Sequence, residues 1–183
     1  ILKQRNAVDF WVVWQTTLGS TGYLLLNSTN ASSTAATYWN STVPTSTVFS
    51  LGSDSRPNGS GTTYVAYCFA AVTGYSKFGS YTGNGSTDGP FVYLGFRPRF
   101  VLIKATSTTG NWEMLDSSRD TYNPEGNLLR AQSSTAEVAA SPVIDFLSNG
   151  FKPRSINGSQ NDTGVTYIYA AFAENPFNTA RAR

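Results

Sequence analysis

Hydrophobic residues along this chain fall in short runs rich in aromatic and β-branched side chains, separated by clusters of Gly, Pro, Asn and Ser. That is the pattern of strands and turns. Six runs carry it: Phe10-Trp-Val-Val-Trp14, Gly22-Tyr-Leu-Leu-Leu26, Thr63-Tyr-Val-Ala-Tyr-Cys-Phe69, Phe100-Val-Leu-Ile-Lys104, Asn111-Trp-Glu-Met-Leu115 and Thr166-Tyr-Ile-Tyr-Ala-Ala-Phe172. Between them lie stretches such as Asp54-Ser-Arg-Pro-Asn-Gly-Ser-Gly61 and Thr82-Gly-Asn-Gly-Ser-Thr-Asp-Gly-Pro90, where Gly, Pro and Asn supply backbone angles that other residues resist. The best helical candidate, residues 128–140, is interrupted by Ser-Ser-Thr and ended by Pro142, so a short helix and a loop fit it equally. The fold class read from this pattern is all-β.

Comparing the chain with itself adds domain organisation. Residues 10–16 align with 100–106, and 22–28 align with 111–117. The far ends match better: Gly61-Thr-Thr-Tyr-Val-Ala-Tyr-Cys-Phe-Ala70 against Gly164-Val-Thr-Tyr-Ile-Tyr-Ala-Ala-Phe-Ala173, each after an Asn-rich turn. A period of roughly 90 residues is too long for a solenoid coil and suits a small β-domain. The expectation is two tandem, related β-sandwich-like modules, 10–89 and 90–183, with the glycine-rich 83–90 as the linker. Residues 1–9 are expected to be a connector from a longer chain, and Cys68 a small core residue.

Composition narrows the chemistry. Charged residues are only 13% of the 183, and 13 basic against 11 acidic side chains leave a net charge of +2. The surface is therefore wetted by Ser, Thr, Asn and Gly, and no basic patch marks a nucleic-acid partner. With no His and one Cys, the chain cannot form a Cys/His zinc site, a Ser-His-Asp triad or an internal disulfide. No apolar run approaches the roughly 20 residues needed to span a bilayer as a helix, so membrane insertion is not expected. Asn-X-Ser/Thr triplets at Asn27, Asn40, Asn58 and Asn161 follow from the abundance of those residues.

The stretch 79–104, followed by Gly110-Asn-Trp112, residues 116–120, Phe146-Leu-Ser-Asn-Gly-Phe-Lys152 and Thr166-Tyr-Ile-Tyr-Ala-Ala-Phe-Ala-Glu-Asn-Pro-Phe177, resembles a family of tailed-phage virion proteins of the tail-fibre type, common in marine and cyanobacterial phages. The likeness covers nearly the whole chain. It implies a repeat-built appendage made in the host cytoplasm and carried on the virion, often a homotrimer bound to other virion proteins. It brings no catalytic, cofactor or ligand residues with it, and the attachment region expected of a fibre is not among these residues.

Candidate sites come from the residues themselves. Sugars present flat C–H faces to aromatic rings and hydroxyls to amides, so Tyr38-Trp39-Asn40 in a polar stretch is the leading glycan-binding candidate, followed by Trp112 and Tyr122. Packing is the competing role for each. Glu113, Asp116 and Asp120 could serve glycoside cleavage or Ca²⁺ binding, although a turn with an Asp116–Arg119 ion pair explains them as well. The expectation is a non-enzymatic virion appendage without cofactor or metal, touching a host-surface glycan. A purely structural or capsid-decorating protein is the alternative, and a glycan-cleaving tailspike the minor one.

Overall fold

The computed structural model describes residues 1–176, and strands dominate it. The chain divides into two units, with the break between Phe69 and Ala70. The first unit contains β1 (Leu2–Gln4), β2 (Trp11–Val13), β3 (Gly22–Leu25), β4 (Ser33–Thr34) and β5 (Tyr64–Ala66), plus two single-turn helices, α1 (Ala36–Trp39) and α2 (Ser55–Asn58). Its five strands form one antiparallel sheet in the order β4-β3-β2-β1-β5. Leu2, Val12, Tyr38 and Trp39 make its small core, with Trp14, Tyr23, Leu25 and Leu51 packed around them. Helix α1 stops because Asn40 enters the left-handed region (φ 52°), which Asn tolerates better than most residues. Asp54 caps α2 by accepting a bond from the Arg56 amide at 2.9 Å.

The second unit contains β6 (Ser76–Thr82), β7 (Val92–Tyr93), β8 (Pro98–Ala105), β9 (Trp112–Asp116), β10 (Glu125–Arg130), β11 (Val138–Leu147), β12 (Gly150–Pro153) and β13 (Thr166–Ala173). Their order is β6-β13-β8-β9-β10-β11-β12-β7. Strand β10 turns this sheet over on itself. Its last residues, Leu129 and Arg130, pair with β9, whereas Glu125, Asn127 and Leu128 pair with β11 across a register shift. Two layers result, and their inner faces share one core. Tyr81, Ile103, Leu115, Tyr167 and Tyr169 come from one layer and Val92, Ile144, Phe146 and Phe151 from the other. Phe151 meets Tyr81 and Tyr169 edge-on, at 5.8 and 5.5 Å between ring centres. The all-β, sandwich-like expectation therefore holds.

Several boundaries differ from those expected. Residues 1–9 are not a connector, because β1 is paired on both sides, with β2 and β5. The glycine-rich 83–90 is not a linker but an internal loop of the second unit. The strand before it, β6, pairs with β13 at seven successive positions and so belongs with that sheet. Residues 128–140 begin in β10 and end in β11, with no helix among them. Cys68 is exposed rather than core, since the run from residue 66 to 73 leaves the sheet edge and stays on the surface. Phe177 of the C-terminal motif, with 178–183, lies outside the described residues.

The two units are related, but one strand out of step with the alignment of their opening segments. Leu2↔Val12 and Lys3↔Trp11 repeat Ile103↔Glu113 and Lys104↔Trp112. Gln4↔Tyr64 and Leu2↔Ala66 repeat Ala105↔Tyr167 and Ile103↔Tyr169. Val13↔Leu24 and Val12↔Leu25 repeat Met114↔Leu129 and Glu113↔Arg130. So β5-β1-β2-β3 corresponds to β13-β8-β9-β10, not β2 to β8 and β3 to β9. Apolar runs of similar composition slide past one another in a sequence comparison; cross-strand register decides which is which. The closing strands, β5 and β13, match as the sequence comparison placed them.

Candidate functional site

Tyr38 and Trp39, the leading glycan candidates, are core residues, only 2% and 3% exposed. Tyr38 stacks on Tyr23 with 4.0 Å between ring centres, and its hydroxyl accepts a bond from Arg56 Nη1 at 2.8 Å. The Trp39 indole N–H donates to the Gly22 carbonyl at 3.0 Å. Their ring faces are covered, so neither is a sugar platform. The reason is the helical turn of α1, which swings both side chains under the strands of a unit with few other large residues. Asn40, at the end of that turn, is exposed and forms no side-chain hydrogen bond with the described residues.

Trp112 is 2% exposed and is likewise packing, while its amide donates to Gln132 Oε1 at 2.9 Å. The equivalent amide in the first unit, that of Trp11, donates to Asn27 Oδ1 at 3.0 Å. Tyr122 is 84% exposed and is the one large aromatic candidate on the surface. The acidic stretch is a structural turn: Asp116 accepts from the Ser118 and Arg119 amides, both at 3.0 Å, and pairs with Arg119 Nε at 2.5 Å. Burial is the largest single influence and raises its carboxyl, but the Arg119 and Ser118 bonds and the Arg119 charge together outweigh it and hold the carboxyl below the usual range. Asp120 accepts from the amides of Gly126 and Asn127. Among the described residues no three His, Cys, Asp or Glu side chains converge to hold a metal ion, and no helix is long and apolar enough to cross a membrane.

Of Tyr38, Trp39 and Asn40, only Asn40 lines a groove. An open groove of about 520 Å³ in the first unit is lined by Thr37, Asn40, Ser41, Gly52, Ser53 and Asn58, among others. No charged side chain lines it. Asn40 and Ser41 are consecutive left-handed residues (φ 52° and 50°), and the side chains of Thr37, Asn40, Ser41 and Ser53 are exposed with no hydrogen bond to the described residues.

What sequence reasoning missed is that Glu113 is buried, together with Glu125 and Lys104, in the second unit. Glu113 (1% exposed) and Glu125 (0%) are buried, and among the described residues no hydrogen bond of good geometry reaches their carboxylate oxygens, Asn111 being a weak side-chain partner of Glu113. Burial pushes both carboxyls up to about 7. Arg130, 4.0 Å from Glu113, opposes the shift there, while the nearby Asp120 charge adds to it at Glu125. Lys104 is also fully buried, donates to the Ala105 carbonyl at 2.9 Å and is lowered to about 8 by desolvation. An alternating strand with Glu at an inward position, as at Glu113 between Trp112 and Leu115, was the available signal.

The chain belongs to a family described as a domain of unknown function (DUF7483), whose model matches residues 1–176. No curated protein and no solved structure matches it.

Proposed function

We propose that this chain is part of a phage virion appendage of the tail-fibre type, whose β-units contact the host surface without catalysing a reaction. The observation that carries the reading is the combination of two strand-built units with an uncharged, Ser/Thr/Asn-rich loop surface, in a chain whose motifs resemble those of tailed-phage fibre proteins over nearly its whole length. The surface offers neutral hydrogen-bonding groups and an exposed aromatic, Tyr122, which suit a glycan better than a charged partner. Oligomerisation fits the exposed apolar positions at the β7 edge of the second unit, where Phe91 and Tyr93 are 47% and 59% exposed. A trimer would multiply weak contacts. Light scattering on a size-exclusion column tests the assembly: three times 19.7 kDa supports the fibre reading and a clean monomer counts against it. Binding of the purified chain to host cells tests the role, and binding nowhere on the host favours a purely structural virion protein.

A further inference from the structure

The repeat between the units shows what the first one lacks. Tyr64 and Tyr167 occupy the same node: each hydroxyl accepts from the amide five residues back, Gly59 at 2.7 Å and Asp162 at 2.8 Å, and donates to the carbonyl nine back, Ser55 at 3.0 Å and Gly158 at 2.8 Å. Asn58 and Asn161 correspond as well, each amide nitrogen donating to the carbonyl six residues back, Gly52 at 2.8 Å and Ser155 at 3.1 Å. Their surroundings then diverge.

In the second unit, β6 lies along the far side of β13, and the loop after it closes over Asn161. The Asn161 amide also donates to Asn84 Oδ1 at 3.1 Å and the Ser86 carbonyl at 2.7 Å, and its oxygen accepts from the Asn84 amide at 2.9 Å. Asn161 is fully buried as a result. In the first unit, among the described residues, no strand pairs beyond β5 and no partner reaches the side-chain oxygen of Asn58, which is exposed with the open groove beside it. The edge is also unused. Thr63 and Tyr67 direct their backbone groups to Arg5 and Ile1, so the alternate residues Tyr64, Ala66 and Cys68 present theirs to the open side. The corresponding residues of β13 face β6, where the Ala173 amide donates to the Tyr75 carbonyl at 2.8 Å.

We infer that the β5 edge and the groove beside Asn58 form one continuous acceptor for a polypeptide strand of the β6 type, ending in a Gly-Asn-Gly turn. The strand adds backbone bonds to β5, and the turn fills the groove and bonds Asn58 as Asn84 and Ser86 bond Asn161. Glycines are required in that turn: a Cβ at Gly83 would stand 2.2 Å from the Asp162 carbonyl oxygen, and Gly85 is left-handed (φ 65°), with a Cβ there 2.0 Å from the Thr163 hydroxyl. The occupant is a polypeptide rather than a sugar because the second unit forms the same seat and fills it with chain. All strands of the described residues are already placed elsewhere, so the occupant comes from outside them.

The probe is a synthetic peptide with the sequence of residues 75–89, added to the full chain. It binds one to one, slows exchange of the Ala66 and Cys68 amides, and slows alkylation of the Cys68 thiol. Ala66→Pro removes an amide that faces the open side and is not used by β1, so it leaves the chain folded and weakens peptide binding tenfold or more. Asn58→Ala weakens it less, as does a peptide carrying Gly in place of the Asn of its turn. No binding to the wild-type chain overturns the proposal, as does binding that both variants leave unchanged. Concentration-dependent dimerisation that protects Cys68 without peptide also overturns it, by assigning the edge to a second copy.

Discussion

Strands β5 and β13 carry similar apolar runs, Thr63-Tyr-Val-Ala-Tyr-Cys-Phe69 and Thr166-Tyr-Ile-Tyr-Ala-Ala-Phe172, and each follows a left-handed glycine, Gly61 or Gly164. Each places its tyrosine at the same hydrogen-bonded node. Yet β13 is an eight-residue strand with neighbours on both sides, Tyr167 and Ala171 having no exposed surface, whereas β5 spans three residues and the chain beyond it is exposed. Similar apolar runs thus yield a core strand in one place and a bare edge in the other. Burial belongs to the sheet around a strand, not to the strand.

The largest test of this difference is core truncation. Trp39→Ala should destabilise the first unit by about 3–5 kcal/mol, enough to unfold so small a core, while hydrogen exchange in β8, β9 and β13 stays slow. Loss of protection in both units together would show that they fold as one and break the comparison.

The pH dependence separates the units next. Glu113 and Glu125 hold their protons up to about 7 in the folded state, against 4.5 for an ordinary glutamate, so the native state binds more protons between those values. Stability of the second unit is therefore full below about 4.5 from these groups and falls as pH rises towards 7, by on the order of 2–3 kcal/mol per carboxyl. The groups facing Glu113 are Arg130, Tyr81 and Tyr167; those facing Glu125 are Asp120, Asp116, Arg97 and Arg119. Asp116, with its lowered carboxyl, acts in the opposite sense and loses its contribution only as pH falls through the acid range. Urea denaturation from pH 4 to 8 should show the decline in wild type and flatten it in Glu113→Gln and Glu125→Gln. A first unit that shows the same decline would contradict the assignment.

A smaller effect sharpens the comparison at the shared node. Tyr167→Phe should cost about 1–3 kcal/mol, because it strands the Gly158 carbonyl and the Asp162 amide beneath a buried ring. Tyr64→Phe, at a half-buried ring, should cost less, and adding the peptide of residues 75–89 should narrow the gap in thermal melts. Smallest of all, Tyr122→Ala should leave stability within about 0.5 kcal/mol, so any loss of host-cell binding reports a contact and not the fold.

Much of the fold was legible in the chain. Six apolar runs fell on strands, breaker clusters fell on turns, and the match of 61–70 with 164–173 located two equivalent strands. The opening strands slipped by one because Phe10-Trp-Val-Val-Trp14 resembles Phe100-Val-Leu-Ile-Lys104 in composition, while its structural counterpart is Trp112–Asp116. Of the glycan candidates, Asn40 and Tyr122 are on the surface, and Tyr38, Trp39 and Trp112 are inside. A polar neighbourhood in sequence does not reveal that a single helical turn will fold two aromatics beneath a sheet.

Local chemistry by itself determined that these residues build strands, that the loops are largely neutral and polar, and that neither a histidine-based site nor an internal disulfide forms within them. Those follow from side-chain type and two-residue periodicity, which act over a few residues. Tertiary structure decided which apolar runs are covered, which carboxylates are taken from water, and where a seat for a further strand stays open. Each of these depends on pairing between segments far apart in the chain, such as β6 with β13 and β1 with β5, and such pairing has no local signature in residue type.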